Sequence, residues 1–103
     1  MRNEYIETSE KITKTPYPRF AERLNYAMGI RDFNNLKLAR SIYVSPSAIS
    51  AYRNGTRQPN FEVLRSIALA LDVSSDFLLG LSDYIDVSPK YHYSNHSFTP
   101  QQK

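Results

Sequence analysis

The apolar positions of this chain fall into five short runs at three- and four-residue spacing, with polar or turn-forming residues between them. Pro18 opens the first, which places Phe20, Leu24, Ala27 and Met28 on one face and is expected to end near Gly29. The second spans Asn35 to Ile42, with Leu38, Ala39 and Ile42 on a shared face and Asn34 placed to cap its start. In the third, Pro46 to Asn54, Ser45 is a natural N-cap and Pro46 takes the first helical position, where its missing N–H costs nothing. Val44 and Ile49 are spaced for a hydrophobic staple, and Gly55 is placed to stop the helix in a left-handed conformation. Asn60 caps a fourth run, whose stripe is Phe61, Leu64, Ile67, Ala68 and Leu71. Ser74 caps a fifth, stapled by Val73 and Leu78 and stopped at Gly80. No segment alternates with period two between turn signals, so the pattern predicts an all-α fold, a compact bundle of five short helices. Helices this short are not stable alone, and their stability must come from a shared core.

The second and third helices, joined by the short turn at Tyr43, Val44 and Ser45, form a helix-turn-helix. The third helix has two unlike faces. Ala48, Ile49 and Tyr52 point toward the core, whereas Ser47, Ser50, Ala51 and Asn54 recur at i, i+3, i+4 and i+7 on the other side. That second face is small, polar and without acidic groups, so it fits a DNA major groove about 12 Å wide without steric or charge repulsion. Read by itself, the same face also suits the solvated surface of any small domain.

The stretch from Leu38 to Pro59 resembles the phage-repressor, or Cro-type, helix-turn-helix family of bacterial regulators. Upstream, Arg23 and Leu24 look like that family's first helix. Downstream, Leu64, Ala68, Leu71, Val73, Ser74 and the run Phe77 to Gly80 look like its fourth and fifth. The likeness covers residues 18–83. It implies a lambda-repressor-like DNA-binding domain in a sequence-specific transcriptional regulator of bacterial or phage origin. Its partner would be double-stranded DNA, with the third helix in the major groove and a palindromic site bound by a homodimer. The matching positions for phosphate contact are Asn35 and Asn54, continued by Thr56, Arg57 and Gln58 in the following loop, with Arg57 the main charge. The base-facing positions are Pro46, Ser47, Ser50 and Ala51.

Two departures from that family bear on mechanism. Similar proteins commonly carry Gln, Arg, Lys or Asn at the base-facing positions, and none of the four residues here makes a bidentate base contact, so direct readout should be less discriminating. Specificity then rests on DNA shape, bridging water or half-site spacing. Similar proteins also often pair an Arg of the first helix with a Glu of the third, where this chain has Met28 and Arg53. Arg53 is therefore expected to be free for solvent, a phosphate or a different carboxylate. The alternative reading is a protein-interaction module on the same fold, antitoxin-like or regulator-binding, with weak or no DNA binding.

Composition narrows the field further. A chain of 103 residues has room for one domain and one modest core. Thirteen basic residues against ten acidic give a net charge of +3, and residues 18–83 hold eight of the basic and six of the acidic ones, most of the excess. Without cysteine there is no disulfide scaffold, thiolate metal site or cysteine nucleophile. No apolar run approaches the ~20 residues of a membrane span, and the N-terminus, with Glu4 and Glu7, lacks the features of a signal peptide; a cytoplasmic protein is expected. His92 and His96 sit four apart but lie between Pro89 and Pro100 with no third ligand, so no metal or cofactor is expected. Ser47 and Ser50 have no histidine or lysine base in their motif, which argues against an enzyme. Residues 1–17 read as a flexible arm, with insertion into a minor groove as the functional alternative. Residues 84–103 form an aromatic tail with Tyr84, Ile85, Val87, Tyr91, Tyr93 and Phe98, open between disorder and docking on the bundle or on a second subunit. The sequence leaves open whether a small-molecule effector binds.

Overall fold

A computed structural model describes residues 15–87 of the chain. Five helices follow in order: α1 Pro18–Arg31, α2 Asn35–Ile42, α3 Pro46–Asn54, α4 Phe61–Leu71 and α5 Ser75–Leu79. The described residues form no strand. Every N-cap read from the sequence accepts a backbone bond: Asn34 from the Lys37 N–H, Ser45 from Ala48, Asn60 from Val63, and Ser74 from both Asp76 and Phe77. These side chains satisfy donors that the first turn of a helix leaves without partners.

The helix ends follow one rule, which the glycines only partly announce. After each helix the chain turns into the left-handed region, at Asp32, Tyr43, Gly55, Asp72 and Gly80. The next residue then donates its N–H to a carbonyl five positions back: Phe33 to Met28, Val44 to Ala39, Thr56 to Ala51, Val73 to Ala68 and Leu81 to Asp76. This is the six-to-one bond of the Schellman ending. Three of the five left-handed residues are not glycine. Phe33, Val44 and Val73, which follow those three, pack against or within the core, and this apolar anchoring holds the preceding residue in an otherwise costly conformation. Gly29 does not end α1, which continues to Arg31; a side chain at Gly29 would meet open space.

The core is built from Leu24, Ala27 and Met28 of α1, Leu38 and Ala39 of α2, Ala48, Ile49 and Tyr52 of α3, Ile67 and Leu71 of α4, then Val73, Phe77 and Leu78. Two expectations change here. Phe61 is 89% exposed rather than part of the α4 stripe, since as first residue of the helix it lies beyond the reach of the core. Phe20 is only half-buried, while its neighbour Ala21 is fully enclosed.

Both flanks of the bundle are tied to it. The Tyr17 N–H donates to the Gly55 carbonyl at 3.0 Å, which fastens the entry to α1 against the end of α3. At the other end, the Ile85 carbonyl accepts the Ser74 N–H at 2.7 Å, and the Ile85 side chain packs on the core. Arg23 reaches the carbonyl of Ser82 at 2.9 Å and the carboxylate of Asp83 at 3.1 Å, with its guanidinium 4.5 Å from the centre of the Phe77 ring. Arg31 likewise binds the Leu71 and Asp72 carbonyls and the Asp86 carboxylate. Residues 82–87 are thus a strap across the bundle, and of the expected apolar tail surface Ile85 belongs to the fold itself. Residues 1–14 and 88–103 lie outside the described residues, and with them any minor-groove arm, His92, His96, Tyr91, Tyr93 and Phe98. No described helix is long and apolar enough to cross a membrane.

Candidate nucleic-acid interface

The turn between α2 and α3 is set by Tyr43, left-handed and almost wholly exposed, and by Val44, whose side chain points back to the core. Ser45 caps α3 at once, so the helix leaves the turn with Ala48, Ile49 and Tyr52 buried. Burial of those three fixes the rotation of α3 and hence what it shows to solvent. Pro46, Ser47 and Asn54 are exposed, while Ser50 and Ala51 are half-buried along the same side. The Ser47 hydroxyl lies 3.2 Å from that of Ser45, close enough for one to hydrogen-bond the other.

The loop after α3 is more firmly held than its sequence suggests. The Thr56 N–H and the Thr56 hydroxyl both donate to the Ala51 carbonyl, so that hydroxyl proton is already engaged. Arg57 is exposed, with its guanidinium 5.6 Å from the centre of the Tyr52 ring. That weak cation–π contact keeps a full positive charge beside the C-terminal end of α3. Gln58 is exposed next to it.

Asn35 and Arg53 come together. Arg53 is not free: its Nε–H donates to Asn25 Oδ1 at 2.5 Å and its Nη1 donates to Asn35 Oδ1 at 2.6 Å. Asn25 in turn donates from Nδ2 to the Arg53 carbonyl at 3.0 Å. A guanidinium from α3 therefore joins α1 and the first residue of α2 through two neutral amides, with no carboxylate among these contacts. The expectation of a free Arg53 fails because Asn25 offers an acceptor to its side chain and a donor to its backbone together. Burial pushes the Arg53 pKa down from its ordinary value, yet a guanidinium stays charged at neutral pH. Nothing in the sequence pattern marked this junction, since Asn25 sits in the polar half of α1 and is separated from Arg53 by 28 residues.

Charge is segregated along the chain in a way that total composition conceals. From residue 33 to residue 61 there is no acidic residue, and Lys37, Arg40, Arg53 and Arg57 are the basic ones. Lys37 lies 4.3 Å from the centre of the Phe33 ring, and Arg40 is exposed. The described acids sit elsewhere: Glu22 and Asp32 in or just after α1, Glu62 at the start of α4, and Asp72, Asp76, Asp83 and Asp86 around α5 and the strap. Helices α2 and α3 with the loop that follows therefore carry basic side chains and no acidic ones, an arrangement suited to a polyanion.

Comparison with known proteins agrees with this geometry. The Helix-turn-helix family model matches residues 31–78, from the end of α1 into α5. The matched segment contains both helices of the motif, α2 and α3, and the turn between them, so this part of the chain is similar to the helix-turn-helix of DNA-binding proteins. Among solved structures, the chain is similar to the solution structure of the SOS-response transcriptional repressor LexA from Eubacterium rectale. That match has 19% identity and a TM-score of 0.59, over 100% of this chain and 98% of that one, and it shows the shared fold. No curated protein sequence matches the chain.

Proposed function

We propose that α3 lies in the major groove, with Pro46, Ser47, Ser50 and Ala51 toward the bases and Asn35, Asn54, Thr56, Arg57 and Gln58 along the phosphates, and that two copies bind a palindromic site. The observation that carries this reading is the acid-free stretch of residues 33–61, which surrounds a helix whose outer side is small and polar. Arg57 is best placed for a phosphate, being exposed and steadied by Tyr52. Thr56 offers a weaker contact, because its hydroxyl must first leave the Ala51 carbonyl. Serine and alanine side chains discriminate modestly between bases, so shape and half-site spacing supply much of the specificity.

Dimer formation follows from the energetics of so small a contact. One such unit holds a half-site weakly, and pairing two makes the second binding event effectively intramolecular. Leu79, Leu81 and Tyr84, at the end of α5 and in the strap, are exposed apolar side chains available for that contact. Selection of bound duplexes from a random pool tests the whole reading. It should yield an inverted repeat, bound with affinity that falls steeply as salt rises. Recovery of a single unrepeated half-site removes the palindromic dimer, and no salt-sensitive enrichment at all favours the protein-interaction module on this fold.

A further inference from the structure

We propose that Arg53 is a positioning residue for DNA binding: it takes the oxygen of the Asn35 side chain and thereby turns the Asn35 amide N–H groups toward a phosphate. The inference rests on the reading of Asn35 as a phosphate-facing residue. Its basis is the chemistry of the two partners. An asparagine amide has one face that accepts and one that donates, and which way it points is decided by what it meets. A guanidinium only donates. With Arg53 Nη1 at 2.6 Å, the Asn35 oxygen must face the guanidinium, and its two N–H bonds face away.

Asn25 locks the other side of the same guanidinium. It must accept from Arg53 Nε and donate to the Arg53 carbonyl, and one orientation of its amide does both. Arg53 is therefore held from α1 before it touches α2, and it presents a fixed donor to Asn35. A phosphate oxygen accepts hydrogen bonds and repels a carbonyl oxygen, so an Asn35 left to rotate would offer the wrong end part of the time. An acidic residue at position 53 would reverse the arrangement, drawing the Asn35 N–H inward and leaving its oxygen for the DNA. The identity of residue 53 thus decides which face of Asn35 the DNA meets. The half-buried guanidinium also has no carboxylate among its contacts, so its charge is not cancelled locally.

The test is a double-substitution cycle on a selected duplex, with melting curves recorded for every variant. In the parent protein, Asn35→Ala should weaken binding about tenfold, the lower end for a hydrogen bond to a charged group. In the Arg53→Met background the same Asn35→Ala change should weaken it by no more than about twofold, because the amide is no longer aimed. Asn35→Asp supplies an oxygen for Arg53 but no donor for phosphate; it should keep the melting temperature while binding less tightly than Asn35→Ala. Asn25→Ala leaves every charge in place and frees one side of the guanidinium. It should weaken binding severalfold with an unchanged salt slope.

The outcomes separate cleanly. If Asn35→Ala has no effect in the parent protein, the phosphate reading of Asn35 fails and the inference falls with it. If Asn35→Ala costs tenfold in both backgrounds, Asn35 meets phosphate but Arg53 does not aim it, and the positioning role is overturned. Wild-type affinity for Asn35→Asp overturns it as well. Should Arg53→Met fail to fold, Asn25→Ala carries the decision: unchanged binding by that variant counts against the inference.

Discussion

Ile49 is fully buried where α3 meets the rest of the bundle, and its burial sets which way that helix faces. Ile49→Ala should cost on the order of 2–4 kcal/mol in chemical denaturation by leaving a cavity that the neighbouring helices only partly close. A loss under ~1 kcal/mol would mean that the site collapses around the smaller residue. Arg57 poses a question of charge alone. Arg57→Ala should weaken binding to unrelated duplexes alike and reduce the slope of log affinity against log salt by about one, measured by titration at several salt concentrations. An unchanged slope removes Arg57 from the phosphate contacts. At this scale, legibility depended on whether a residue acts through its own spacing or through a distant neighbour. Ile49 and Tyr52 were readable because burial repeats with the helix. Arg53 was not, since its partners Asn25 and Asn35 come from two other helices.

The helices are delimited by unlike signals at their two ends. N-caps were legible because a Ser or Asn oxygen reaches the local N–H unaided, as all four do here. C-terminal ends at Asp32, Tyr43 and Asp72 were not, because those residues become left-handed only when the apolar residue that follows finds the core. Gly55 ends α3 and opens the loop that carries Thr56, Arg57 and Gln58. At φ of +78° an added Cβ is strained in itself, and it would also collide with the Thr15 side chain. Gly55→Ala should therefore destabilise the domain by about 1 kcal/mol or more in thermal melts, and a neutral result would show that residues 15–17 yield easily. On the outer side of α3, Ser47→Ala and Ser50→Ala should each change affinity by only about 1 kcal/mol, the size of one neutral hydrogen bond. A hundredfold loss confined to one base position would mean that readout is sharper than short side chains allow.

For the molecule as a whole, the bundle and its helix-turn-helix were legible from hydrophobic spacing, but its outer limit was not. A boundary after Asp83 looks natural in the sequence. Yet Ile85 packs on the core and accepts the Ser74 N–H, and Asp86 pairs with Arg31. Removal of the residues after Asp83 should lower the melting temperature, whereas a cut after Val87 keeps every described contact and should leave it unchanged. The second truncation is the clean test of the tail in assembly. If residues 88–103 hold the dimer, sedimentation should show a shift toward monomer, with a larger loss of affinity for a paired site than for an isolated half-site. Unaltered mass and paired-site affinity would mean that residues 88–103 hold no such contact.

The strap also orders events in time. Arg23 and Arg31 belong to α1, but their partners Ser82, Asp83 and Asp86 are added 55 to 60 residues later. Contacts so far apart in sequence are slow to close, because the entropy of bringing the two ends together is lost before the contact rewards it. Helix α3, by contrast, packs mainly on its near neighbours α2 and α1. The outer side of α3 is thus set before α1 is fully secured, and the last residues of the strap convert that provisional assembly into a finished domain.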